Sequence, residues 1–99
     1  MITIHNLHIE KMNQPFDFRV DRKSVLGNPY FMQNEKWRDE VCDKYELWFT
    51  VKYETDESII KELRLMKIRY VMYGKLRLFC WCAPKRCHAQ TIKQYLEGS

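Results

Sequence analysis

LRLFCWCAPKRCH, residues 76–88, decides how the chain is read. Residues 76–82 are apolar on both faces apart from Arg77, the pattern of a strand covered on both sides at the centre of a sheet. Ala83 to Arg86 then make a short basic turn around Pro84, and CHAQTIKQYLE resumes as a helix with Ile92 and Leu96 inward. A strand, a turn and a helix in that order are half of an α/β unit, and ligands of such sheets sit beyond the carboxyl ends of the strands. The turn is therefore where chemistry is expected.

The turn also concentrates reactive side chains. Along a strand, residues two apart share a face, so Cys80 and Cys82 are expected to point one way and Trp81 the other. The turn can bring Cys87 and His88 back towards Cys82. Three readings stay open. As ligands, Cys80, Cys82, Cys87 and His88 offer the donor types of a structural zinc site, but C-x-C-x4-C-H departs from the usual C-x2-C pairs, and adjacent Cys87 and His88 are awkwardly placed on a helix to share one ion. No cofactor is assigned, and zinc remains an option. As a reactive site, the helix amino terminus with Lys85 and Arg86 can hold an anion or lower the pKa of Cys82 or Cys87, with His88 as proton carrier. As plain structure, Cys80 is a small core residue and His88 caps the helix. Cys80 fits the last reading best, whereas Cys82, Cys87 and His88 fit a catalytic or ligand-contacting set.

Working outward, TDESIIKELRLMKIRYVMYG has Ile59, Leu63, Met66 and Tyr70 at helical spacing, Thr55 or Asp56 to cap its start and Gly74 to end it. Residues 67–75 also alternate like a hairpin around Gly74, but helix is favoured. Before it, Trp37, Val41, Tyr45, Trp48 and Phe49 recur at three and four, an amphipathic helix over 35–53. Trp37, Tyr45 and Trp48 suit a core better than a base-stacking platform. MITIHNLHIEK reads as a first strand, broken by Asn13, Gln14 and Pro15, and FDFRV as a second. His5 and His8 then face opposite ways and do not share a metal. SVLGNPY is a loop, because Gly27 permits unusual dihedrals and Pro29 keeps Asn28 extended. The fold class expected is α/β: one small, three-layer-like domain over 1–99, with a short, mostly parallel sheet flanked by about three helices.

Composition sets the outer limits. A chain of 99 residues with 45% hydrophobic content builds one core. No apolar run reaches a membrane span and no secretory signal opens the chain, so a cytoplasmic location is expected and the four cysteines should be reduced. The net charge of +4 is unevenly placed: eight Lys or Arg between Lys61 and Arg86 face Glu62 alone. Such a face suits a phosphate-bearing partner, or else is balanced by the acidic residues of 39–57. Arg19, Arg22 and Lys23, just before the GNP loop, can also meet phosphate. There is no serine triad, phosphate-cradling P-loop or paired-carboxylate motif.

These residues together resemble a known set. R-x-S-x-L-G-N-P-Y (Arg22, Ser24, Leu26 to Tyr30), W-R (Trp37, Arg38), Y-x-x-W-F (Tyr45, Trp48, Phe49) and G-K-x-R-L-x-C-W-C-A-P-K-x-C-H (Gly74 to His88) resemble the family called domain of unknown function 4326, short proteins and domains of bacteria and their phages. The resemblance spans roughly residues 19–97, and its ending is the most specific part. It implies that Arg22, Gly27, Asn28, Pro29, Arg38, Cys82, Cys87 and His88 form one pocket. Members often have glycine after C-H, where Ala89 stands here, and the segment between Ser58 and Tyr73 is long for the family.

The functional expectation is a domain, in the host cytoplasm if phage-encoded, that binds a small phosphorylated ligand, a nucleotide derivative first among them. Arg22, Arg38 and Arg86 meet charge, with Lys85 beside them. Ser24, Gly27, Asn28 and Pro29 shape the loop, and Trp81 or Tyr30 stacks. The rivals are an enzyme using Cys82 or Cys87 with His88, and a nucleic-acid or protein-binding module using the basic face. No membrane partner is expected, and a homo-oligomer stays open.

Overall fold

The central strand organises everything around it. In the computed structural model, which describes residues 1–98, β3 (Leu76–Cys80) lies between β1 (Ile2–Asn6) and β2 (Asp17–Arg19), and both neighbours run parallel to it. Ile2, Ile4 and Asn6 register with Leu76, Leu78 and Cys80, and Phe18 registers with Leu78. Paired residues of parallel strands share a face, so these side chains make one apolar surface. Against it pack residues of α1 (Arg38–Thr55), α2 (Glu57–Tyr73) and α3 (Ala89–Glu97), including Tyr45, Phe49, Leu63, Met66, Ile92 and Leu96. The domain is α/β with a parallel sheet and three helices.

The opposite face is covered differently. It carries Thr3, His5, Asp17, Arg19, Arg77 and Phe79, and the chain between β1 and β2 crosses over it. Phe79 is fully buried, with the His5 ring stacked at 5.2 Å and the Arg77 guanidinium over it at 5.2 Å. Arg77 forks onto Asp17 at 2.7 and 2.8 Å and reaches Glu10 and Asn13 at 3.2 Å. Burial works against ionisation of Asp17, but the bonds from Arg77 and from the Asn13 and Gln14 amides outweigh it and hold its carboxyl below the usual range.

The helix boundaries follow local chemistry. A 3-10 turn (Glu35–Trp37), capped by the Asn34 side chain, leads into α1. Asp56 caps α2 through the Ile59 amide at 3.2 Å, and Gly74 at φ 72° closes it. Residues 67–73 are therefore helix, not hairpin. The first strand is shorter than its alternating pattern, because residues 7–9 turn away once the Asn6 side chain binds the Trp81 and Ala83 carbonyls. Among the described residues, no helix is long and apolar enough to cross a membrane.

Candidate functional site

All three strands end at one edge, and a cavity of about 420 Å³ opens beyond the carboxyl ends of β2 and β3. Its size is that of a small-molecule pocket. Two segments wall it: residues 19–32, leaving β2, and residues 80–88, leaving β3, with the start of α1 behind.

The first wall is built on Asp21. Its buried carboxylate accepts bonds from Arg19 Nε at 2.7 Å, Trp81 Nε1 at 2.7 Å and the Lys23 amide at 3.2 Å. Burial opposes its charge, but the Arg19 and Trp81 hydrogen bonds outweigh that and keep its carboxyl below the usual range. Asp21 thus fixes Trp81 at the cavity and joins the two walls. The loop then folds back on Asp21 through the Ser24 amide at 2.9 Å and the Gly27 amide on Ser24 at 3.0 Å. A Cβ on Gly27 would stand 2.4 Å from the Asp21 carbonyl oxygen and 2.6 Å from Arg22 Cα, both backbone atoms that cannot swing aside. Gly27→Ala is accordingly expected to cost about 1–3 kcal/mol as an overpacking change. It should also displace Arg22; urea titration measures the loss, and a variant as stable as wild type would remove this role for Gly27.

The second wall holds the thiols. β3 stops at Cys80, two residues short of the expected end, so Trp81 and Cys82 belong to the turn and Cys82 leaves the strand face it was expected to share. The Lys85 amide closes the turn on the Cys82 carbonyl at 2.9 Å. Cys87 is buried and its thiol donates to Cys80 Sγ at 3.3 Å. The neighbouring Cys80 and Cys82 thiols, with burial, push the Cys87 pKa up, so it keeps its proton. Cys82 is half-buried and is pulled down to about 5, first by the Cys87 donor and then by the Arg38 guanidinium, against the cost of burial. Cys80 also accepts from Cys87 but lies within the core without Arg38 at hand.

His88 serves the fold at this site. Its Nε2 bonds the Val20 carbonyl, an acceptor, so Nε2 carries the hydrogen, and its ring lies 5.0 Å from Tyr45. It makes no side-chain cap to α3. Burial lowers its pKa below 6.5 despite the Val20 bond. Between the lowered folded value and 6.5 the unfolded chain binds more protons, so stability is expected to drop as pH falls below about 6.5. Urea midpoints at about pH 7.5 and pH 5.5 measure this, and His88→Gln should flatten the dependence. An unchanged slope in that variant would assign the effect elsewhere.

The arginines divide into clamps and free cations. Arg38 forks onto Glu35 at 2.7 and 2.8 Å and donates to the Arg86 carbonyl at 2.9 Å. Arg86 is tied to Asp39 at 3.0 Å and Asp43 at 2.8 Å. Both therefore fasten the turn to α1. Arg22 binds only the Tyr30 carbonyl at 3.2 Å and the face of Phe31, and among the described residues neither Arg22 nor Lys23 pairs with a carboxylate.

Of the residues singled out from sequence, Arg22, Asn28, Tyr30, Arg38 and Trp81 reach the cavity, as do Cys82, Arg86, Cys87 and His88. Ser24, Gly27, Pro29 and Lys85 do not line it. Ser24 Oγ accepts the Leu26 amide at 3.1 Å, and the Lys85 ammonium sits on the surface 3.4 Å from Glu35. Asp21, Met32, Val41 and Cys42 line the cavity and were not foreseen. The available signal for Asp21 was a carboxylate just after the FDFRV strand, at the edge where ligands gather. Among the described residues, no group of three or more His, Cys, Asp or Glu is arranged to hold a metal ion.

No curated protein and no solved structure matches the chain. A family model does match, from residue 4 to residue 98, nearly the whole chain. The loop, the clamps and the thiol turn are thus parts of one family domain, and the chain belongs to the family described as domain of unknown function (DUF4326).

Proposed function

We propose that this domain binds a small phosphorylated ligand, a nucleotide derivative, in the cavity at the carboxyl edge of the sheet. The observation that carries this reading is the pair Arg22 and Lys23, exposed and without a carboxylate partner among the described residues, at the rim of a largely apolar cavity. Trp81 and Tyr30 offer flat surfaces for a base, and Asn28 holds the loop through the Tyr30 amide at 2.8 Å. An anion at the rim and a ring inside match that distribution. The four free thiols suit a reducing cytoplasm.

The basic face between Lys61 and Arg86 supports a nucleic-acid reading less well. Arg77 is spent on Asp17, Arg86 on Asp39 and Asp43, Lys67 on the Tyr95 hydroxyl at 2.9 Å, and Arg69 on the Pro15 carbonyl. Much of that charge is already answered within the fold.

Calorimetric titration with a nucleoside monophosphate and with the matching nucleoside tests the proposal. The phosphate form should bind more tightly, and Arg22→Ala with Lys23→Ala should weaken it by roughly 30-fold to 150-fold, given about 1–1.5 kcal/mol for each exposed charged contact. Equal affinity for both forms, or an unchanged affinity in the double variant, would count against it. An enzymatic reading of the same site is favoured by the ionised Cys82. In that case Cys82→Ser loses turnover and keeps binding.

A further inference from the structure

Three aromatic rings stand open to water at the edge where the cavity lies. Phe31 is 70% exposed, Trp81 45% and Trp37 40%, so folding leaves much of each ring uncovered. Trp81 lines the cavity, and Phe31 sits between Tyr30 and Met32, which also line it. Trp37 ends the 3-10 turn just ahead of Arg38, which reaches the cavity and donates to the Arg86 carbonyl of the opposite wall. The spacing of Trp37 suits a core, yet the residue lies outside it, in the turn that precedes α1.

Cations accompany these rings. The Arg22 guanidinium lies 5.2 Å from the centre of Phe31, the Lys36 ammonium 5.4 Å from Trp37 and the Lys44 ammonium 5.9 Å from Tyr30. Nearby carboxylates are already answered, Glu35 by Arg38 and Lys85, Asp39 and Asp43 by Arg86. Among the described residues, Arg22, Lys23 and Lys36 pair with no carboxylate, which leaves the rim positive. A cation on one side of a ring leaves the other side for a base and stands beside the phosphate that follows it. Exposed rings interleaved with free cations are the surface a single strand of nucleic acid requires, since bases stack on the rings while successive phosphates meet the cations.

We propose that the nucleotide belongs to a single strand of DNA or RNA, with one unstacked nucleotide seated in the cavity by Trp81 and Tyr30 and its neighbours stacked on Phe31 and Trp37. This rests on the nucleotide reading of the cavity and extends it to the rim. A free mononucleotide fills the cavity and leaves Phe31 and Trp37 unused. A duplex keeps its bases stacked on one another and offers the rings nothing. The basic residues of α2 take no part.

The test measures fluorescence anisotropy of the full chain with short labelled strands of mixed sequence, DNA and RNA, each against its own duplex, and calorimetry with the four common nucleoside monophosphates. At least one strand should bind about tenfold or more tightly than its duplex and than any monophosphate. Trp37→Ala and Phe31→Ala should each weaken strand binding by roughly fivefold to 150-fold, the loss of one stacked base, and Trp37→Ala should leave monophosphate affinity unchanged. Monophosphate binding without tighter strand binding, duplex binding equal to that of the strand, or unchanged strand affinity in both variants would each overturn the strand and leave the cavity reading standing. No binding of monophosphate, strand or duplex would overturn both.

Discussion

Replacing Arg77 with methionine is expected to lower the stability of the domain by about 2–4 kcal/mol, the largest loss from any single polar side chain here. The Asp17 side chain is about 1% exposed and, among the described residues, Arg77 is its only charged partner, so the variant leaves a carboxylate under the 7–16 segment with two backbone amides. The figure lies below the upper range for buried pairs because Arg77 itself is about 24% exposed and water reaches that side. The same change removes the guanidinium from Phe79 and frees Glu10 and Asn13. Asp17→Asn combined with Arg77→Met should recover part of the loss, since no charge is then stranded. In wild type, the Asp17 contribution is present above its unfolded value near 3.8 and is lost as pH falls through the lower folded value. Urea unfolding of the single and double variants measures both effects. A single variant within about 0.5 kcal/mol of wild type would mean that the polar strap does not hold the sheet.

Alkylation of Cys82 should show a rate that rises below pH 6 and is flat above it. With a pKa of about 5, Cys82 is roughly nine-tenths ionised at pH 6, where an ordinary cysteine is under about 1% ionised. A low-pKa thiolate is also intrinsically less nucleophilic, which offsets much of that advantage, so the net gain at pH 6 is on the order of tenfold, disappears near about pH 7 and reverses at higher pH. Arg38→Gln removes the cation beside the sulfur and should move the plateau to higher pH. Iodoacetamide rates with peptide mapping give the profile. A Cys82 rate still climbing between pH 7 and 9 in wild type would show that the sulfur carries no special charge.

Much of this architecture can be read from residue spacing. The central position of β3 follows from apolar residues on both faces, and the α2 boundaries follow from Asp56 and Gly74, since capping chemistry is local. What spacing cannot carry is long-range polar pairing. The end of β1 depends on Asn6 finding the Trp81 and Ala83 carbonyls, which lie 75 and 77 residues away. The role of Asp21 depends on Trp81, and the Arg38 and Arg86 clamps depend on carbonyls and carboxylates brought close only by the fold. Cysteine spacing marked the segment that walls the cavity, yet the difference between half-buried Cys82 and buried Cys87 is one of depth, which no motif records.

The claim that most needs a direct test is that the cavity beyond β2 and β3 receives the ligand. The measurement is amide chemical-shift mapping by NMR during titration with a nucleoside monophosphate. Saturable shifts are expected in the Arg19–Met32 and Cys80–His88 segments and the start of α1 alone, with none on the Lys61–Arg64 face of α2. Shifts centred on α2, or no saturable shifts anywhere, would contradict it.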